Sequence, residues 1–150
     1  NFIIELLNDP SFIQNIGDRK VRTMEDAQAY ILNGPVDSYA KNGFGLSLVI
    51  LKVTGEVIGM CGLIKRDALE DVDIGYAYLP RYWSKGYAIE AALAMKSYAR
   101  DTIQLKRLVA IVDPANIGSI RVLEKLGMKF EKMFKLFEDD IELKLFACAL

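Results

Sequence analysis

Asp73-Ile74-Gly75-Tyr76-Ala77-Tyr78-Leu79-Pro80-Arg81-Tyr82-Trp83-Ser84-Lys85-Gly86-Tyr87-Ala88-Ile89-Glu90-Ala91-Ala92 decides how the rest of the chain is read. An apolar, β-prone run ends at a proline. A short loop with Ser, Lys and Gly follows, and an Ala-rich helix starts at once. Such a strand–loop–helix passage is suited to holding phosphate, because the free backbone N–H groups and the helix dipole both point at the anion. Gly86 and Ala88 leave the backbone approachable, and Lys85 adds a positive charge. Each charge-assisted bond to a phosphate oxygen contributes roughly 1.5–3 kcal/mol, so several amides together hold a pyrophosphate firmly. Read alone, the loop also fits a strand-to-helix turn that uses glycine for geometry only.

Working outward, residues 2–8 read as a short amphipathic helix stopped near Asp9-Pro10, with a polar connection after it. Thr23-Met24-Glu25-Asp26 opens a helix with an acidic first turn that runs to about Asn33-Gly34. Residues 44–53 and 56–65 are β-prone runs, and Thr54-Gly55 predicts a tight hairpin between them. A third strand over 72–79 completes an antiparallel meander. Apolar spacing predicts a helix over 86–100, a strand over 107–112, and a helix over 116–126 with Asn116 as N-cap and Gly127 after its end. Residues 128–137 and 141–149 predict a closing hairpin around Glu138-Asp139-Asp140. Strand, helix, strand in the middle implies a right-handed crossover to a parallel neighbour.

A length of 150 residues with 52% hydrophobic and 26% charged residues describes one globular domain with room for a core. The net charge of −1 gives no reason to expect nucleic acid as a partner. No apolar run approaches membrane-span length, no signal peptide is evident, and a cytoplasmic location is expected. Cys61 and Cys148 sit in apolar runs and read as reduced thiols. With no histidine in the chain, Ser-His-Asp and Cys-His catalysis and the usual zinc sites are excluded, and no metal is expected.

The loop at 83–88 contains neither G-x-x-x-x-G-K-[ST] nor G-x-G-x-x-G, which disfavours P-loop and dinucleotide folds. A pyrophosphate on a different carrier remains. A second constellation, Asp113-Pro114-Ala115-Asn116-Ile117-Gly118-Ser119, opens the last helix beside the parallel strand pair. Asn116 and Ser119, three apart, face the same way in its first turn. Alone, they also read as ordinary capping.

Together these residues resemble the acetyl-CoA motif of the GNAT acetyltransferases. The carriers are Asp73-Ile74-Gly75-Tyr76, Leu79-Pro80 and Tyr82-Trp83-Ser84-Lys85-Gly86-Tyr87-Ala88-Ile89-Glu90-Ala91. Asn116-x-x-Ser119 and Leu123-Glu124-Lys125-Leu126-Gly127-Met128 match the Rim-type branch, which includes ribosomal-protein N-terminal acetyltransferases. In the superfamily's loop Trp83 takes the first place, as is usual in this branch, and Gly86 and Ala88 take the fourth and sixth. Ser84 stands where the branch commonly has Gly. The resemblance implies an α+β fold: a mixed, mostly antiparallel central sheet with one splayed parallel strand pair and flanking helices. It implies one acyl-CoA N-acyltransferase domain over 1–150. The family's first strand is not visible before Asn1, so a shortened N-terminus is expected.

The resemblance further implies that the strand ending at Tyr78-Leu79 splays from its neighbour and pairs with the pantetheine arm. Amides around Trp83, Ser84, Lys85, Gly86, Tyr87 and Ala88 would hold the pyrophosphate. Asn116 would bond the pantetheine arm, and Ser119 would lie near the thioester sulfur. The implied partners are acetyl-CoA and an amine acceptor, in a monomer or homodimer. Direct attack of an amine on a thioester needs a neutral amine, a stabilised oxyanion and help for the departing thiolate, and it requires no imidazole. A thiol of pKa about 8.5 is a fair leaving group that a Ser119 hydroxyl can assist. An α-amine of pKa about 8 is easier to deprotonate than a lysine of about 10.4, and the gap of roughly 2.4 units is worth about 3.3 kcal/mol. A site without a strong base therefore favours α-amines. Asp73 is the base expected from the sequence, acting directly or through water, with Glu70 and Asp71 as weaker alternatives. Tyr30, Tyr39, Phe44, Tyr76 and Tyr78 are candidates for the acceptor groove or for the core. A non-catalytic acyl-CoA-binding module of the same fold is the competing reading, and Ser84 and the lack of an obvious base favour it.

Overall fold

A computed structural model describes residues 1–138 and 140–150. Six strands form one mixed sheet in the order β1-β2-β3-β4-β6-β5. They are β1 (Leu46–Ile50), β2 (Val57–Ile64), β3 (Asp73–Tyr78), β4 (Arg107–Val112), β5 (Lys129–Phe134) and β6 (Leu143–Ala149). All neighbours pair antiparallel except β3 and β4. The meander, the parallel pair and the closing hairpin therefore form as the sequence predicts. The turn expected around Glu138-Asp139-Asp140 includes Asp139, which lies outside the described residues.

Period-two alternation assigns each strand residue to a face of the sheet. On one face Leu63, Ile74, Leu108, Ala110 and Val112 pack against α5 (Tyr87–Asp101) and α6 (Ile117–Lys125) through Ala92, Ala99, Ile120 and Leu123. On the other, Met60 and Ala77 meet α1 (Phe2–Asn8), α2 (Pro10–Asn15) and α3 (Met24–Ile31) through Leu6, Leu7, Phe12 and Ala27. A smaller cluster of Leu69, Val109, Leu145 and Ala147 fills the space beside the β4–β6 pair. The crossover α5 and the following α6 thus share one layer, against which the parallel strands stand.

Three local expectations differ from what forms. The polar connection after residue 9 is instead the helix α2. Asp9 ends α1 and also caps α2, accepting from the Ser11 amide at 2.9 Å, and Pro10 occupies the first helical position. Proline cannot extend α1 but its fixed φ suits a helix start. The helix begun at Thr23 does not end at Gly34. Thr23 and Asp26 form a capping box, and α3 passes through a widened π-type turn, Leu32–Val36, into α4 (Asp37–Asn42). Pro35 lacks the N–H that a regular ladder needs, and the widened turn accommodates that gap. The hairpin between β1 and β2 is also broader than Thr54-Gly55 alone. Leu51 N donates to Glu56 O at 2.9 Å and Gly55 N to Leu51 O at 2.7 Å.

Candidate active site

The site begins where the sheet comes apart. β3 is paired with β2 along six registered positions, and β4 with β6 along six. Between β3 and β4 the ladder has the single pair Asp73↔Val109, supported by Val109 N donating to Val72 O at 3.1 Å. Beyond it the strands diverge toward Tyr78 and Val112, leaving a V-shaped cleft walled by two backbones. Backbone groups on such walls are obligatory hydrogen-bonding groups that a bound chain of amides can pair with.

At the open end of β3 the chain turns through Pro80–Tyr82 into the loop that starts α5. Three contacts fix this turn. Trp83 Nε1 donates to the Tyr78 carbonyl at 2.9 Å, Tyr82 Oη donates to Glu56 Oε2 at 2.5 Å, and Arg81 pairs with Glu5 at 3.2 Å. The loop then places Ser84 at φ +60° and Gly86 at φ +85°. Lys85, whose φ is not positive, lies between these two left-handed residues, and the alternating sign of φ is the backbone pattern of an anion nest. Gly86 caps α5 without a side-chain bond. Among the described residues the amides of Ser84, Lys85, Gly86, Tyr87, Ala88 and Ile89 find no protein acceptor. A Cβ at Gly86 would meet nothing within 4 Å, so the glycine serves its φ and the space before it is open. Lys85 is exposed and has no ion-pair partner among the described residues.

The other wall carries the start of α6. Asp113 Oδ1 accepts from Ala115 N at 2.9 Å and turns the chain off β4. Asn116 caps α6, its Oδ1 accepting from Ser119 N at 3.2 Å. Capping occupies only the oxygen of that amide, and its Nδ2 has no acceptor among the described residues, so capping and ligand binding are compatible. Ser119 Oγ lies 2.8 Å from Tyr76 Oη, across the cleft on β3. Burial pushes the Tyr76 phenol up to about 12, with the Ser119 bond opposing, so it stays protonated across the neutral range.

Tyr78 faces the same layer as Tyr76, and their ring centroids lie 6.4 Å apart. Its ring lies over Gly59 of β2, where a Cβ would collide with it. Tyr78 is 7% exposed, and its buried hydroxyl has no partner among the described residues. Burial, with the Cys61 thiol nearby, holds its pKa far above the ordinary tyrosine value. Burial also pushes the free Cys61 thiol up to about 12, and Cys148 is likewise free.

Tyr76, on the splayed part of β3, meets Ser119 of α6, and the 83–88 loop follows Tyr78 at the end of the same strand. Leu79 instead packs with Leu6, Leu7 and Met60 in the layer of α1 and α3, its amide donating to Ile58 O at 3.0 Å, and Asp73 does not reach Ser119 either. Asp73 is three residues from Tyr76 on the same strand, so it faces the opposite layer. It is 1% exposed and accepts from Arg66 Nε at 2.8 Å. Burial raises its pKa while Arg66 pulls it down. Of the weaker alternatives, Asp71 pairs with Arg107 at 3.0 Å and Glu70 is exposed. Phe44 is core, and Tyr39 Oη donates to the Leu46 carbonyl. Tyr76, expected in the acceptor groove or the core, meets Ser119 of α6. Its signal was the alternation Ile74, Tyr76, Tyr78, which aims all three at the layer the crossover builds. Among the described residues no three His, Cys, Asp or Glu side chains gather in a metal-binding cluster, and no helix is long and apolar enough to cross a membrane.

Comparison with known proteins meets this geometry. Residues 1–129 match the domain model described as an acetyltransferase (GNAT) domain. The uncharacterized N-acetyltransferase YnaD of Bacillus subtilis is 34% identical over 133 residues, covering 89% of this chain and 75% of that protein. The uncharacterized protein YkkB of the same organism is 38% identical over 105 residues, covering 67% of this chain and 61% of its own length. The match to YkkB therefore spans less than two thirds of that protein. A solved acetyltransferase (GNAT family) from Bacillus anthracis superposes with a TM-score of 0.75 at 28% identity, covering 98% of this chain and 86% of that one. A domain match over most of the chain, on a sheet that splays at the expected strand pair, makes this protein a member of the GNAT acetyltransferase family.

Proposed function

We propose that the protein transfers the acetyl group of acetyl-CoA directly to a primary amine, with no covalent enzyme intermediate. The acceptor class is a protein N-terminal α-amine or a small-molecule amine, and the Rim-type pattern of residues 82–91 and 116–128 favours the former. We read residues 1–150 as one acyltransferase domain acting in the cytoplasm. The observation that supports this best is the V between β3 and β4, flanked by free amides on one side and by Asn116 and Ser119 on the other.

The residues fit acetyl-CoA by their donor set. The unsatisfied amides at 84–88 and Lys85 suit a pyrophosphate. The unpaired edges of β3 and β4 suit the amides of a pantetheine arm, and Asn116 Nδ2 offers it a further donor. The acetyl thioester brings an activated carbonyl. The amine nitrogen bonds to its carbon, the C–S bond breaks, the electron pair goes to sulfur and the amine's proton is released to solvent. This chain's part is to hold the thioester, donate a backbone N–H from the splayed strand to the carbonyl oxygen, and offer the Ser119 hydroxyl to the sulfur as it gains charge. Asp73, facing the other layer and paired with Arg66, is assigned to the strand junction rather than to proton transfer. The amine then arrives already neutral, which selects for a low amine pKa.

One observation favours binding without turnover: the sequence-predicted base lies away from Ser119. Calorimetric titration with CoA, followed by a thiol-release assay with acetyl-CoA and α-amino peptides, separates the two readings. CoA binding with peptide-dependent thiol release is the expected result. Binding without release from any amine leaves the acyl-CoA-binding reading in its place.

A further inference from the structure

We propose that Tyr76 is a positioning residue for the reaction: its phenol, reaching across the open strand pair, holds the Ser119 hydroxyl in the orientation that serves the departing sulfur. The inference rests on the acetyl-transfer reading above and assigns to one more side chain a part in it.

Tyr76 lies three residues past the sole β3–β4 pair, about 10 Å along the strand at about 3.3 Å per residue. There the two backbones have parted, and the bond from Tyr76 Oη to Ser119 Oγ at 2.8 Å joins the β3 wall to the α6 wall. The ring itself is anchored in the layer of α5 and α6. The phenol has one proton and two oxygens of Ser119 within reach, Oγ at 2.8 Å and the carbonyl at 3.3 Å. That carbonyl sits in the first turn of α6, where helical geometry already supplies it with the amide four residues on. The Ser119 amide is taken by Asn116 Oδ1. Oγ is the nearer oxygen and the one without a helical partner, so in the proposed arrangement the phenol donates to it. The serine's own proton is left unspent, and with its lone pair held by Tyr76 it is turned away from the phenol. A free serine rotates among three staggered positions, whereas this one is fixed before substrate arrives. No proton moves from Tyr76 in the reaction, so the phenol orients and polarises the serine and does nothing else.

A simple strut between two walls predicts different behaviour from a positioning residue, and Tyr76→Phe separates them because the ring and its packing stay. The variant is compared with the unmodified protein, with Ser119→Ala and with the double variant, using acetyl-CoA and an alanine-starting hexapeptide. The expected result is a kcat about fivefold lower, the worth of one ordinary hydrogen bond. The KM for acetyl-CoA should stay within about twofold and the Tm should be unchanged. In the Ser119→Ala background Tyr76→Phe should cost nothing further. A loss of the same size in both backgrounds, an unchanged kcat, or an effect confined to Tm and KM overturns the proposal. Calorimetric titration with CoA and with desulfo-CoA reads the same hydroxyl without turnover. The unmodified protein should prefer CoA severalfold, and both single variants should lose that preference. Failure of the unmodified protein to bind CoA overturns the acetyl-transfer reading and this proposal together. An undiminished preference in Tyr76→Phe overturns this proposal alone.

Discussion

Ser84→Gly should make this protein more stable, and the reason is local. Ser84 holds φ +60° in a loop whose next left-handed residue is Gly86 at φ +85°. An L-residue in the left-handed region costs roughly 1–2 kcal/mol relative to glycine, because Cβ crowds the following carbonyl. Glycine returns about 0.4–1 kcal/mol of that through the freer unfolded chain. The difference leaves a net gain of about 0.5–1 kcal/mol. At about 2–4 °C per kcal/mol for a domain of this size, the Tm should rise by about 1–4 °C. The reciprocal change supplies the control. A Cβ at Gly86 meets nothing within 4 Å, so Gly86→Ala has no steric component apart from its φ and should lower Tm by a similar amount. Calorimetric unfolding without ligand measures both. A lower Tm for Ser84→Gly, or an unchanged Tm for Gly86→Ala, would show that the loop does not hold the two left-handed residues on which the anion nest depends.

Three further outcomes are expected. Gly86→Glu should weaken CoA binding at least about 100-fold, since it sets a carboxylate against the pyrophosphate seat and strains the backbone; an unchanged calorimetric affinity contradicts the seat. Ser119→Ala should lower kcat about tenfold while the KM for acetyl-CoA stays within about twofold, and equal losses in binding and turnover remove its part at the sulfur. Burial raises the Asp73 carboxyl above its ordinary 3.8, so the folded chain holds that proton more tightly than the unfolded one. Its stabilising contribution is full below pH 3.8 and is lost as pH rises through the folded value. Urea unfolding from pH 3.5 upward should therefore show Asp73→Asn gaining on the unmodified protein with rising pH, and a difference that is flat or shrinks across that range contradicts the assignment.

Features set by local chemistry were legible in the sequence. The loop from Trp83 to Ala88, the Asn116 cap and the Gly127 stop each depend on residues within a few positions of one another, and each forms as expected. The antiparallel meander follows from alternation and short connections in the same way. Features set by tertiary placement were not legible. Asp9-Pro10 stops one helix and starts another, and only the burial of Phe12 against α1 decides for the second helix. Pro35 ends most helices, yet here a widened turn carries the chain past it. Asp73 had the right chemistry for a base and the wrong parity on its strand, facing Arg66 instead of Ser119. Tyr76 had the right parity, and its partner forty-three positions away became visible only when α6 was laid across the splay.

Splay and loop both support the proposed function, in which this cleft binds acetyl-CoA and delivers its acetyl group to an amine. Mass spectrometry of an alanine-starting peptide and its Nα-blocked, lysine-containing counterpart, each incubated with the protein and acetyl-CoA, tests it most directly. An acetyl group on the free α-amine, little or none on the lysine, and neither product with Gly86→Glu is the expected result. Acetylation undiminished in Gly86→Glu, or none in the unmodified protein across a broad amine panel, would contradict it.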